Sequence, residues 1–270
     1  MIRKFNLKST LSNWPYFILA VVTAVLIFPA IFATHDPYAL DVINRLKPPT
    51  SDNFFGTDEG GRDIYSRVIH GGRITVGSAL LIVALAATIG TLIGAAAGWF
   101  GGRLDWYLMR AVDVFLAFPY LVLAMALAAS IGRNMSSSIL ALILVWWPGY
   151  ARMVRGQVLS IKNELHIKVS KTIGTNSRQM LLWHVIPHTR RAITTRATLD
   201  VGYVIIAITG LSFLGLGAQN PSPEWGLLIA NAKTYVLFGW WYSVFPGLVL
   251  VFIVSLFVII GDRLSKEKSR

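Results

Sequence analysis

The chain has 270 residues, 54% hydrophobic and only 14% charged, with a formal net charge of +12 and no cysteine. Soluble domains carry about a quarter charged residues, so this is the composition of a membrane protein, and the lack of cysteine excludes disulfides and thiolate metal sites. So basic a charge also suits nucleic acid, but here Lys and Arg flank apolar runs, where anionic lipid attracts them, and no nucleic acid is expected.

Long apolar runs predict membrane helices, because only a helix satisfies its own backbone within lipid. The first run covers 14–33. It is long for a cleaved signal peptide, and Pro29-Ala30-Ile31-Phe32-Ala33 is a poor cleavage site, so it reads as a retained signal-anchor. The adjoining loop contains Phe55-Gly56-Thr57-Asp58-Glu59-Gly60-Gly61-Arg62-Asp63. Its glycines and acids predict a tight turn, with Thr57 or Asp58 capping the next helix. It lacks the alternating carboxylates and closing Glu of a calcium loop.

The second run, 74–99, carries Gly90, Gly94 and Gly98 on one helical face, a row that Ala86 extends. Small residues let helix backbones approach closely, which predicts packing against another span of the same chain. In the third run, 106–131, Asp113 follows Arg110 by three residues, the spacing of a local ion pair. The fourth, 134–151, contains Trp146, Trp147, Pro148 and Gly149 and ends at Arg152. The fifth and sixth cover 201–218 and 240–260, and Trp225, Trp240 and Trp241 fit an outer interfacial belt.

The fourth and fifth runs are separated by roughly 45 residues, long for a structureless connection. Val158, Ile161, Leu165, Val169 and Ile173 recur at spacings of three and four, predicting an amphipathic helix over 158–173 that Gly174 stops. A second short helix is predicted over 177–185, closed by Pro187. A basic helix pair of this kind either lies on a membrane surface or fills a groove on a soluble partner, and physics leaves both open. His184 and His188 have the four-residue spacing of a metal pair, but Pro187 interrupts the helix and no third ligand is near. They read as polar loop residues.

Lys and Arg gather in the N-terminal tail, the second-to-third turn, the long fourth-to-fifth loop and the C-terminal tail. The positive-inside rule therefore predicts that both termini and the long loop are cytoplasmic. No Gly-Lys pair occurs, so no nucleotide-binding P-loop exists, and neither a Gly-x-Ser-x-Gly elbow nor a His-Glu-x-x-His site is present. The spans are nearly charge-free, whereas ion-coupled transporters need ionisable groups near the midplane. The chain reads as a non-enzymatic conduit or scaffold driven by something else.

At these residues the chain resembles the dipeptide/oligopeptide/nickel permease family of bacterial and archaeal ABC importers, specifically its second permease subunit type. The stretch from Phe55 to Arg67 is similar to that family's Leu-Gly-Thr-Asp-x-x-Gly-Arg-Asp-x-x-Ser-Arg. Further matches are Met109-Arg110-Ala111-Val112-Asp113, Ala117-Phe118-Pro119, Trp147-Pro148-Gly149-Tyr150-Ala151-Arg152, Ala197-Thr198-Leu199-Asp200, Leu211-Ser212-Phe213-Leu214-Gly215-Leu216-Gly217 and Pro223-Glu224-Trp225-Gly226. The resemblance implies an all-α, polytopic bundle of six transmembrane helices with the type I ABC importer permease fold. Its parts would be a tail, first helix and outer loop over 1–73, a five-helix core over 74–262 with a cytoplasmic coupling loop at 152–196, and a cytoplasmic tail over 263–270.

The resemblance also implies alternating access with a second permease subunit, two ATPase subunits that bind ATP and Mg, an extracytoplasmic substrate-binding protein and the lipid bilayer, and no cofactor in this chain. In such permeases a coupling helix with a Glu-Ala-Ala…Gly motif docks on the ATPase. Alignment on Gly174 sets Lys168-Val169-Ser170 at the triplet, so Gly174 and His184-x-x-Pro187 match while Lys168 replaces an acid. By resemblance the coupling residues are Glu164, Lys168, Val169, Ser170, Gly174, His184 and Pro187, and the exchange at Lys168 implies a dedicated ATPase with a compensating acid. Peptides are the default substrate, with nickel or metal chelates, opines and oligosaccharides as rivals. An ion-coupled secondary transporter and a membrane scaffold without a conduit are the alternative classes.

Overall fold

The computed structural model describes residues 14–164, 167, 176 and 179–266, and these are helical apart from largely irregular segments at 33–63 and 214–224, shorter turns and one isolated bridge between Thr57 and Asp63. The helices are α1 (Trp14–Ile27), the single turn α2 (Pro29–Phe32), α3 (Ile64–Phe100), α4 (Gly102–Leu116), α5 (Tyr120–Ile131) and α6 (Met135–Ile161). A π-helical turn (Met180–Val185) then leads into α7 (Ile186–Phe213), succeeded by the short α8 (Trp225–Ala232) and by α9 (Trp241–Lys266).

Among the described residues, α3, α6, α7 and α9 are each long and apolar enough to cross a membrane. α4 and α5 together also qualify, but they meet at a 90° bend. The third apolar run is therefore not one straight span. Pro119 lacks an N–H and drives Phe118 out of the helical region, so α4 ends before it. Pro148 and Pro246, by contrast, are carried inside α6 and α9, and α6 runs on well past the predicted 151. α7 starts earlier than the predicted 201 and stops at Phe213. α1 has 14 described residues, about 21 Å of helix against a hydrocarbon core of roughly 30 Å.

Side-chain caps fix the start of three helices. Asp63 accepts from Ser66 N at 2.8 Å, Asn134 from Ser137 N at 2.9 Å and Glu224 from Leu227 N at 3.0 Å. Asp63, not Thr57 or Asp58, caps the helix after the glycine-rich turn; the Asp58 carboxylate instead closes that turn on Gly60 N and Arg62 N.

The glycine row of α3 lies against α6. A Cβ added at Gly90 would sit 2.5 Å from the Trp147 carbonyl oxygen, one at Gly94 2.2 Å from that of Ala151, and one at Gly98 2.9 Å from Val158 Cβ. The order of these contacts makes α3 and α6 parallel, with backbones touching. Around this pair the main core gathers Ile82, Val83, Leu142, Val204, Ile205, Ile208, Leu228, Ile253 and Phe257. Leu81, Leu92, Leu248 and Val251 point outward instead, which carries no penalty where lipid replaces water.

The aromatic-belt expectation needs correction. Trp225 is 1% exposed and Trp241 6%, so both are core residues, and only Trp240 is open. Adjacent Gly71 and Gly72 leave the slot that Trp225 fills, since a Cβ on either would come within about 3 Å of the indole, and Trp225 Nε1 donates to Val68 O at 2.8 Å.

Candidate functional site

At one end of the bundle, α6 finishes at Ile161, and Asn163 N and Glu164 N fold back onto Ser160 O and Ile161 O at 3.3 and 3.0 Å. The helix expected over 158–173 is thus interrupted: Val158 and Ile161 belong to α6, and a turn at 162–164 separates them from the remainder of that stretch. Glu164 is exposed at the end of that turn. Lys168, Val169, Ser170 and Gly174 lie outside the described residues. Ile167, which the apolar spacing passed over, is fully buried.

Pro187 opens a helix instead of closing one. It stands at the start of α7, and the π-helical turn carrying His184 leads into it without a break. His184 and His188 therefore share one helical run, and no group of three metal-ligating side chains occurs among the described residues.

Both ends of the segment return to one apolar platform. Trp99, Val154, Val158, Ile161, Ile167, Met180 and Val185 form a buried cluster separate from the main core, with Ile186 and Ile193 packed against it. Full burial of one such side chain is worth about 1.5–3 kcal/mol, so the segment is anchored at its base. Polar ties reinforce that base. Arg155 forks onto Asp105 of α4 at 2.5 and 2.6 Å, and Lys162 Nζ donates to Trp99 O at 2.5 Å. Arg196 of α7 donates to Gly149 O at 3.2 Å and pairs with Asp200 at 3.3 Å. Asp113 pairs with Arg152 of α6 and not with Arg110, which lies over the Trp106 ring at 5.4 Å.

A second polar centre stands at the other end of the bundle. Arg62 pairs with Asp58 at 2.7 Å and Glu59 at 3.0 Å. Arg67, with no exposed surface, reaches Asp58 at 3.4 Å and donates to the carbonyls of Pro37, Pro221 and Ser222 at 3.0, 3.3 and 3.2 Å. The first loop, α3 and the segment before α8 are thereby joined through one guanidinium. In the sequence this loop signals only a turn; the clue was a pair of arginines five apart beside two acids.

Glu224 is fully buried and also accepts from Thr75 Oγ1 at 3.1 Å. Burial pushes its carboxyl up from the ordinary range, against the opposing backbone N–H groups of Gly226 and Leu227. A raised value means that its contribution to stability is complete below the unfolded value of about 4.3 and is lost as pH rises through the folded one. Glu224→Gln keeps an oxygen for Leu227 N and cannot ionise. Its melting temperature is expected to gain on the parent as pH rises from about 5 to 8; parallel melting curves across that range would contradict the assignment.

A family model for the inner membrane component of binding-protein-dependent transport systems matches residues 90–267. The chain belongs to this family. It is 40% identical over 245 residues to the probable D,D-dipeptide transport system permease protein DdpC of Escherichia coli (strain K12), covering 91% of this chain and 82% of that protein. To the nickel transport system permease protein NikC of the same strain it is 34% identical over 257 residues, 94% of this chain and 93% of that one. To the dipeptide transport system permease protein DppC of Bacillus subtilis (strain 168) it is 34% identical over 258 residues, 95% and 81%. The fold is similar to that of a chain from the inward-facing MetNI methionine ABC transporter, with a TM-score of 0.56, 19% identity and coverage of 75% of this chain and 96% of that one. This member of the family is a multi-pass inner-membrane permease of an ABC importer and not an enzyme.

Proposed function

We propose that the chain is one of two permease subunits in an importer of peptides or a related small solute. The observation that carries this reading is the 40% identity, over 91% of the chain, to a permease named for D,D-dipeptide transport. A substrate-binding protein delivers solute at the outer face. Two soluble ATPase subunits hold ATP and Mg, and this chain needs no cofactor of its own. Both termini are cytoplasmic, as the distribution of Lys and Arg supports. Six crossings result when α1 and the bent α4–α5 pair each count as one. The organisation is then 1–73, a permease core over 74–262 and a tail over 263–270.

Coupling falls to the part of the 152–196 segment that lies beyond the membrane, through Glu164, Lys168, Val169, Ser170, Gly174, His184 and Pro187. ATP binding draws the two coupling segments together, and the pathway turns over because the nucleotide-bound ATPases bind one state better than the other. The buried platform beneath the segment supports this role, since a force applied there reaches α3, α6 and α7.

The test is co-purification from native membranes, then ATPase assay with candidate binding proteins. Recovery with a second permease and ATP-hydrolysing subunits, stimulated by a peptide-loaded binding protein, is the expected result. Stimulation by a nickel-loaded protein alone would move the substrate to metal. A chain that runs as a stable oligomer with no associated ATPase would make the ion-coupled transporter the leading reading.

A further inference from the structure

The charged residues on α4 sit at a depth where charge is costly. Between Arg73 and Arg103 the chain has no charged residue, so α3 crosses the hydrocarbon in that interval. Ala151 of α6 packs on Gly94, and Gly94 lies roughly 9 Å short of Phe100 at 1.5 Å per residue. Arg152 and its partner Asp113 are therefore well inside the cytoplasmic half of the membrane. They are not enclosed by the chain: their side chains are 53% and 51% exposed.

α4 is exposed around most of its circumference, with Leu104, Tyr107 and Val114 open as well as its charged residues. Val112 is its buried residue, packed with Ala86, Ala87 and Tyr150. At 100° per residue, Arg103, Trp106 and Arg110 fall on the far side and Asp113 flanks them, and all four are exposed. Beside this face lies an open recess of about 370 Å³, lined by Asp105, Trp106, Arg110, Asp113 and Arg155. Ionised side chains at such depth face water or other protein, never acyl chains. A recess with two carboxylates and two guanidiniums along its wall, large enough for several waters, satisfies that demand with water.

From this we infer that the recess between α4 and α6 is a water-filled vestibule on the cytoplasmic half of the transport route, and that Arg110, Asp113 and Arg155 line it. The assignment rests on the permease reading for its purpose but not for its test. α3 at the same depth presents Leu92, 58% exposed, to the outside, and this face is apolar.

Because the chain contains no cysteine, single cysteines report without background. Arg110→Cys and Leu92→Cys are introduced into the full transporter, and inside-out vesicles are treated with a charged, membrane-impermeant thiosulfonate. Labelling is read by mass, so it needs no transport. Arg110→Cys is expected to react at least about tenfold faster than Leu92→Cys, because only the former faces water. Met109→Cys, also on the recess wall, gives a second reading if Arg110→Cys is poorly produced. Equal rates, whether both slow or both fast, overturn the vestibule: both slow means that protein or lipid covers the face, and both fast that the depth is wrong. Substrate uptake by the parent transporter is measured separately, so failure of the vestibule and failure of the importer reading are distinguishable.

Discussion

Gly94→Leu is expected to separate α3 from α6 and to lower the melting temperature of the purified transporter more than any other single change on this face. A Cβ alone at that position would stand 2.2 Å from the Ala151 carbonyl oxygen and 2.9 Å from its carbon. These are backbone atoms of another helix, which cannot rotate aside. Overpacking of a well-filled core costs about 1–3 kcal/mol and sometimes more, and here the whole interhelical distance must grow, so the upper end applies. Gly77→Leu on the same helix is the control, because nothing lies within 4 Å of its Cβ position. If the two variants melt together, the close contact of α3 and α6 is not a determinant of stability.

Arg67→Met should be at least as damaging at the opposite end. It keeps the bulk of the aliphatic stem but leaves the Pro37, Pro221 and Ser222 carbonyls without their donor and Asp58 with Arg62 alone. Removing one partner from a buried ionic network costs about 3–5 kcal/mol. Arg67→Lys restores the charge but not the fork, and should recover only part of the loss. Thermal melting and substrate uptake are the two readouts. Wild-type melting in Arg67→Met would show that the outer loop is held by Arg62 and packing instead.

How much of this was legible in the sequence depends on which physical signal each residue leaves. Gly90, Gly94 and Gly98 declare a face because their period matches the helix. The spans declare themselves by hydropathy. The break at Pro119 was hidden, because apolar residues continue across it and hydropathy does not register direction. Pro148 is the converse case. Its helix survives because α3 presses on it through glycines and Arg196 binds the adjacent Gly149 carbonyl, which no local reading of Trp-Trp-Pro-Gly supplies. Trp225 looked interfacial by residue type alone; its slot is made by Gly71 and Gly72, distant in sequence. The ion pairs Asp105–Arg155 and Asp113–Arg152 join positions tens of residues apart, beyond the reach of helical spacing, which favoured Arg110 for Asp113.

The unbroken course of α7 has a mechanical meaning. Its 28 residues make a rod about 42 Å long at 1.5 Å per residue. One end grips the apolar platform through Ile186 and Ile193. The other carries Thr209, whose carbonyl oxygen lies 2.3 Å from where a Gly226 Cβ would be, pressing α8 against the rod. A tilt of roughly 5° about the midpoint sweeps each end through about 2 Å in opposite senses. The two faces of the bundle are thus the two arms of a seesaw: a push delivered below arrives above as a pull, with no intermediate part that must move first.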